Sequence, residues 1–234
     1  MGVAEAVQKL QNGLIVSCQA PPDSPLNRPA IIAAMAQAAE RGGAVGVRIN
    51  GVRNIRRVRR VTSLPIIGIN KLRFKSSPVY ITPTLSSIRG VDYAGADIIA
   101  LDCTIRRRPG RHSLEQAMDL AKRELGALVM ADVATVEEGI RAVELGADLV
   151  STTLSGYTDD TQSDAEGPAL DLLQKLVQRV TVPIVLEGRV RTPEDVRRAF
   201  ELGAYAVVVG AAITGIEWLT QGFARAPLRD RACC

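Results

Sequence analysis

The chain has 234 residues, of which 47% are hydrophobic, 23% charged and only 3% aromatic, and its formal net charge is +4. No apolar run approaches the roughly 18 residues that a membrane span needs, and the first residues mix charges into a short helical pattern without an apolar signal core, so the expectation is a cytoplasmic protein with no membrane partner. A basic balance suits nucleic acid or small anions, but the basic runs at residues 55–60 and 105–111 lack interleaved aromatics, which argues against a nucleic-acid reader.

Short β-branched runs alternate with longer helical periodicities from end to end. After a short N-terminal helical segment, the pattern predicts a strand at 13–19 and a helix at 29–41. A strand at 46–50 and a helix at 54–61 follow, then a strand at 65–70 and a helix at 84–94. The middle of the chain predicts a strand at 97–102, a helix at 113–125, a strand at 127–131 and a helix at 135–145. The last third predicts strands at 149–153, 183–187 and 206–210, each followed by a helix, at 168–180, 193–202 and 216–225. Thr135 before Val136, Glu137 and Glu138 fits a capping box, and Thr192-Pro193 fits a cap followed by proline at the first helical position. The run at 55–60 reads as a solvated outer helix face. The run at 105–111 falls in a strand-to-helix loop, where it is a candidate for attracting an anionic substrate.

Eight strand–helix units are what a closed (β/α)8 TIM barrel requires, and barrels of about 250 residues form one domain. The expectation is one domain over residues 1–234, with the N-terminal helical segment at one end and a mobile C-terminal tail at the other. An aliphatic core with few aromatics suits parallel strands covered on both faces. A small-residue–Gly–Ala pattern recurs before strands at Gly43, Gly95, Gly146 and Gly203. Each interval spans two strand–helix units, and the glycines fit left-handed helix ends. Cys18 and Cys103 lie in apolar runs and read as buried reduced thiols, whereas Cys233 and Cys234 fall in the tail.

In such a barrel the active site is built from strand C-terminal ends and the loops after them. Those ends carry Gln19, Arg48, Asn50, Asn70, Lys71, Asp102, Asp132, Thr152, Thr153, Ser155, Glu187, Arg189 and Gly210. Buried charge is costly without partners, so acids and bases converging from several strands on one mouth point to a functional cluster. The glycine-bearing segments EGRVRTPE and VVGAAITG follow strands seven and eight, where barrels often hold phosphate. Gly188, Arg189, Gly210 and Ala211 are therefore the phosphate-binding candidates. Lys71, Glu187 and Asp132 are the acid/base candidates. A lysine beside another cation such as Arg48 has its pKa lowered toward a useful base, and a nearby carboxylate completes proton transfer next to a carbonyl. Gln19, Arg48, Thr153, Ser155 and Arg189 are the substrate-binding candidates. The only histidine, His112, starts a helix beyond a basic loop, so neither histidine catalysis nor a histidine-rich metal site is expected. The polar stretch at 155–167 is a candidate lid or substrate wall.

The segments GLIVSCQA, GGAVGVRING, LPIIGINK, VYITPTL, GADIIALD, LVMADVAT, STTLSGYT, EGRVRTPE and LGAYAVVVG, in this order over almost the whole chain, resemble the N-acetylmannosamine-6-phosphate 2-epimerase family. The resemblance implies interconversion of N-acetylmannosamine 6-phosphate and N-acetylglucosamine 6-phosphate, a step of sialic-acid catabolism, without cofactor or metal. It implies a phosphorylated amino sugar as the partner and allows a homodimer. It also implies that Lys71 and Glu187 are the acid/base pair, with Gln19, Arg48 and Asp132 beside them. Two segments depart from the family pattern. The last motif reads Gly210-Ala211-Ala212-Ile213-Thr214-Gly215 where the family has an arginine at the final position. The stretch after Lys71 reads LRFKSSPVY. Two other readings stay open at this point: another phosphate-binding barrel enzyme on a phosphosugar, and a non-catalytic sugar-phosphate-binding barrel.

Overall fold

The structure, a computed structural model, describes residues 3–162 and 166–225. The tail with Cys233 and Cys234, and residues 163–165 of the long polar loop, lie outside the described residues. Eight strands close in sequence order: β1 Gly13–Cys18, β2 Gly46–Asn50, β3 Ile66–Ile69, β4 Ile98–Asp102, β5 Leu128–Asp132, β6 Leu149–Ser151, β7 Ile184–Glu187 and β8 Ala206–Val209. Every neighbouring pair is parallel, and β1 pairs with β8 to complete the ring.

Helices α1 Val3–Gln8, α2 Pro29–Arg41, α3 Val52–Arg59, α4 Leu85–Tyr93, α5 Leu114–Asp119, α6 Val136–Glu144, α7 Leu170–Arg179, α8 Pro193–Glu201, α9 Ala211–Thr214 and α10 Ile216–Ala224 follow in chain order. The expected strands and helices are all present, with ends displaced by a residue or two. Two features were not expected. The helix begun by α5 continues as a π-turn over Leu120–Glu124, and the short α9 stands between β8 and α10. α3 begins two residues early because Gly51, at φ 92°, turns the chain directly into the helix.

Period-two alternation builds two concentric cores. Ile15, Ile67, Ile69, Ile98, Ala100, Leu128, Met130, Leu149, Val185, Ala206 and Val208 fill the inside of the barrel. Val16, Val47, Ile49, Ile66, Ile99, Leu101, Val129, Val150, Leu186 and Val207 face outward into the helical layer. Truncating one inner residue such as Ile67 to alanine costs about 2–5 kcal/mol, because nothing in a closed ring moves to fill the gap. Helix α1 lies beneath the barrel: Ala6 and Leu10 join the inner core, and the Tyr205 hydroxyl donates to Val7 O.

Helix starts follow the sequence signals. Thr135 accepts from Glu138 N and Thr192 from Asp195 N, each as half of a capping box. The recurring glycines Gly43, Gly95, Gly146 and Gly203 have φ of 92°, 89°, 96° and 92°, so each ends its helix in a backbone that a side chain would strain. On α3, Arg56, Arg57 and Arg60 are exposed, as a solvated face requires, and Arg59 pairs with Asp97 at 2.7 Å. Cys18 and Cys103 are buried free thiols, and burial pushes the Cys18 pKa up to about 12. No helix among the described residues is long and apolar enough to cross a membrane.

Candidate active site

The inward alternation of the inner core continues past the last apolar layer, and there the residues turn polar. Ser17 and Gln19 follow Ile15; Arg48 and Asn50 follow Gly46; Lys71 follows Ile69. Asp102 follows Ala100, Asp132 follows Met130, Ser151 and Thr153 follow Leu149, and Glu187 follows Val185. One period thus delivers most of the expected site residues to the same end of the cylinder.

At the centre stands Arg48, 1% exposed. Its Nη2 donates to Asp132 Oδ2 at 2.5 Å and its Nη1 to Asp132 Oδ1 at 3.1 Å, a forked contact. The same Nη1 lies 2.8 Å from Glu187 Oε2, so one guanidinium serves two carboxylates. The Thr153 hydroxyl bridges them as well, 2.8 Å from Asp132 Oδ1 and 3.1 Å from Glu187 Oε2, with Ser151 Oγ 2.8 Å behind it. Thr152, facing the other way, donates to Glu187 O and accepts from Glu187 N, fixing that strand end. Arg48 and Thr153 both address Glu187 Oε2, and Oε1 has no hydrogen-bond partner among the described residues.

The electrostatics follow from this crowding. Burial works against the Arg48 charge, but Asp132 and then Glu187 more than reverse that and push its pKa up. Burial pushes the Glu187 carboxyl above the usual carboxylate range; Arg48 opposes this and Asp132 adds to it. Lys71 is open to solvent along the rim, yet enough protein surrounds it that desolvation, followed by repulsion from Arg48, pushes its pKa below the ordinary lysine value. Among the described residues Lys71 makes no ion pair; its backbone N–H donates to Asn50 Oδ1 at 2.9 Å, and it bridges Ile81 in an antiparallel turn above β3. Lys71, just past the end of β3, and Glu187, at the end of β7, come from opposite sides of the ring.

A second polar group stands one strand from Asp132, at Asp102, which is in direct register with it. Asp102 is fully buried and receives Thr104 N and the Thr104 hydroxyl on Oδ1 and Arg106 Nη2 on Oδ2 at 2.8 Å. Arg108 is buried too, with its arms on Asp102 O at 2.5 Å and Thr82 O at 2.8 Å. The basic loop at 105–111 therefore does not present all its arginines to solvent: Arg106 is paired and Arg108 is structural, while Arg107 and Arg111 remain exposed. Glu138 fastens this loop, since its carboxylate accepts from Ala134 N and Thr135 N at the start of α6 and from Ile105 N. Sequence reading took Arg106 only as one member of the basic run at 105–111 and passed over Tyr80. Burial, then Asp132 and Asp102, push the Tyr80 phenol pKa up. The inward parity of Asp102 was the signal for Arg106, because a buried carboxylate demands a cation.

The remaining candidates are placed as follows. The Gln19 amide donates to Ser17 Oγ at 2.6 Å, at the β1 edge of the mouth. Gly188, at φ 107°, follows Glu187, and Gly210 is the N-cap of α9. Ala211 opens α9, whose first amides have no acceptor within the helix. Thr214 Oγ1 donates to Ser17 O at 2.8 Å and ties α9 to β1. Arg189, at φ 55°, turns toward the polar loop: Nε donates to Gly167 O, Nη1 to Ser155 O, and the guanidinium lies 5.4 Å from the Tyr157 ring centre. It thus braces both ends of the 155–167 stretch, and Ser155 takes part through its carbonyl. No cluster of metal-ligating side chains is found among the described residues.

Comparison with known proteins places this geometry. A family model described as "Putative N-acetylmannosamine-6-phosphate epimerase" matches residues 32–227. A protein of Caldanaerobacter subterraneus subsp. tengcongensis, named "Putative N-acetylmannosamine-6-phosphate 2-epimerase", is 48% identical over 94% of this chain and 92% of its own. One of Synechococcus elongatus with the same name is 47% identical over 95% of this chain and 96% of its own. The solved structure of the N-acetylmannosamine-6-phosphate 2-epimerase from Clostridium perfringens superposes with a TM-score of 0.89 at 43% identity, covering 93% of this chain and 94% of that one. A thiamine phosphate pyrophosphorylase from Pyrococcus furiosus, at 20% identity and a TM-score of 0.60, shares the fold alone.

Proposed function

The chain belongs to the N-acetylmannosamine-6-phosphate epimerase family, and from that premise we propose that it interconverts N-acetylmannosamine 6-phosphate and N-acetylglucosamine 6-phosphate by moving the proton on C2. The observation that carries this reading is a lysine and a glutamate from opposed strands, β3 and β7, at one mouth, with the lysine pKa lowered and the glutamate pKa raised. Proton transfer needs an acid and a base of opposite chemical type whose pKa values approach the working pH.

Ring opening exposes an aldehyde that acidifies the C2 proton. One of Lys71 and Glu187 removes this proton, and the other delivers one to the opposite face. Arg48 and Gln19 stabilise the enolate oxygen, and Asp132 anchors Arg48. The free Oε1 of Glu187 is the atom directed at carbon. Gly188, Gly210 and Ala211 hold the phosphate through backbone amides, with Arg189, Ser155 and Thr153 on the substrate wall between phosphate and sugar. The chemistry needs no cofactor. The protein works in the cytoplasm, as one domain over residues 1–234, and as a homodimer. Exposed Ile216, Trp218 and Phe223 on α10, a helix with no buried residue, support the pairing.

Turnover of N-acetylmannosamine 6-phosphate in D2O tests the reading. The expected product carries deuterium at C2. Product formed with no label, or full activity in Lys71→Ala, refutes it.

A further inference from the structure

Arg106 and Arg108 stand two residues apart in one loop, yet their surroundings differ. Arg108 spreads its arms over two backbone carbonyls, is 5% exposed, and braces the loop against Thr82. Arg106 is held from one side only. Its Nε donates to Thr104 Oγ1 at 2.9 Å and one Nη2 hydrogen to Asp102 Oδ2. Nη1 has no partner among the described residues, and the side chain keeps 12% of its surface open at the carboxyl end of the barrel. A strut would use both edges of a guanidinium; this one keeps a donor edge in reserve.

The charge of that edge narrows what it fits. Asp102 cancels Arg106 at 2.8 Å, so the pair offers aligned N–H donors with little net charge. Such a group suits a neutral oxygen acceptor better than a phosphate dianion, which gains more from net positive charge and backbone amides. Position narrows it further. Asp102 is in register with Asp132, one strand spacing away, and β4 lies beside the β3 strand that leads into Lys71. β4 also lies across the ring from β8, whose end begins the Gly210 turn. With the phosphate at the β7–β8 edge and C2 between Lys71 and Glu187, the β4 end stands on the side of the mouth remote from the phosphate, next to the strand that leads into Lys71.

We propose that Arg106, oriented by Asp102 and Thr104, is a specificity-determining residue that donates to the carbonyl oxygen of the substrate's 2-acetamido group. This rests on the functional reading above. It accounts for the fully buried Asp102, which reaction at C2 does not itself require: the carboxylate fixes the fork that distinguishes an acetamido sugar from one with a bare hydroxyl.

Calorimetric titration of the wild-type protein, R106Q and the charge-neutral double variant D102N/R106Q tests it, with N-acetylglucosamine 6-phosphate and glucose 6-phosphate as paired ligands. The double variant avoids a buried unpaired carboxylate, so its folding does not hinge on Arg106. The expected result is that the wild type prefers the acetamido ligand and that both variants lose this preference by roughly tenfold or more, the weight of one charge-assisted donor. Affinity for glucose 6-phosphate stays within about twofold. An unchanged preference in the double variant, or equal weakening of both ligands, overturns the assignment while wild-type turnover stands. A wild type that neither binds nor epimerises these sugars overturns the functional reading instead.

Discussion

Replacing Thr153 by valine removes one oxygen and keeps the shape, so its effect isolates a single hydroxyl. That oxygen stands 2.8 Å from Asp132 Oδ1, 3.1 Å from Glu187 Oε2 and 2.8 Å from Ser151 Oγ. It has one proton to give, so it donates to one carboxylate at a time, and when it donates to Glu187 it favours the ionised form. A hydrogen bond to a charged group contributes about 1.5–3 kcal/mol, which corresponds to a loss of roughly tenfold to a hundredfold in kcat/KM if the hydroxyl sets the orientation and ionisation of Glu187. The sign of the pH effect is fixed. The hydroxyl favours ionised Glu187, so without it the Glu187 pKa rises, and the limb of the kcat/KM profile that reports this group moves to higher pH. Ser151, fully buried, loses the hydrogen-bond partner that Thr153 provides, which costs about 1–3 kcal/mol of stability. Thr153→Ser restores the hydroxyl and brings back both rate and pH limb. If Thr153→Val keeps the wild-type limb and more than half the wild-type kcat/KM, Thr153 does not act through Glu187.

Other outcomes follow from the same geometry. Glu187→Gln abolishes turnover yet raises the melting temperature at alkaline pH. A carboxyl whose folded pKa is raised contributes stability below its unfolded pKa and loses it as pH rises through the folded value, so the gap between variant and wild type widens from acid to alkali. A variant less stable at high pH refutes this. The wild-type kcat/KM profile is bell-shaped, with limbs closer together than ordinary glutamate and lysine values, because burial raises one group and lowers the other; limbs at the ordinary values refute it. Gly215→Ala lowers the melting temperature, since a β-carbon there sits 2.7 Å from Ala211 O and 2.9 Å from Ala211 Cα. Overpacking against backbone costs about 1–3 kcal/mol, and an unchanged melting temperature shows that α9 yields freely.

Much of this was legible in the sequence because a single period carries it. Alternation places Arg48, Lys71, Asp132, Thr153 and Glu187 on the inside without further information, and the closed ring then brings them together. What alternation does not encode is the direction of long side chains beyond the strand ends. Arg189 follows a positive-φ glycine and itself has φ 55°, so its guanidinium swings to the Ser155 and Gly167 carbonyls. Arg106 folds back onto Asp102 because a buried carboxylate outweighs exposure to water. The α9 helix escaped notice because four residues show no helical periodicity. Gly215 stands where the resemblance implies an arginine, and a β-carbon there would meet Ala211 O at 2.7 Å, so the backbone would have to shift to take a side chain.

One consequence concerns how the ring divides. The turn at Gly126, with φ 64° and open space around its α-carbon, joins α5 and its π-turn to β5 on the face away from the mouth. The part before it carries Gln19, Arg48, Lys71 and Arg106, and the part after it carries Asp132, Thr153, Glu187 and Gly210. The central cations thus sit on one half and the two carboxylates that bind Arg48 on the other. Two co-expressed fragments separated at that glycine would leave Arg48 on one half without Asp132 and Glu187 on the other, and only their reunion would restore those ion pairs. Recovery of turnover from such a split pair would serve as a direct reporter of barrel closure.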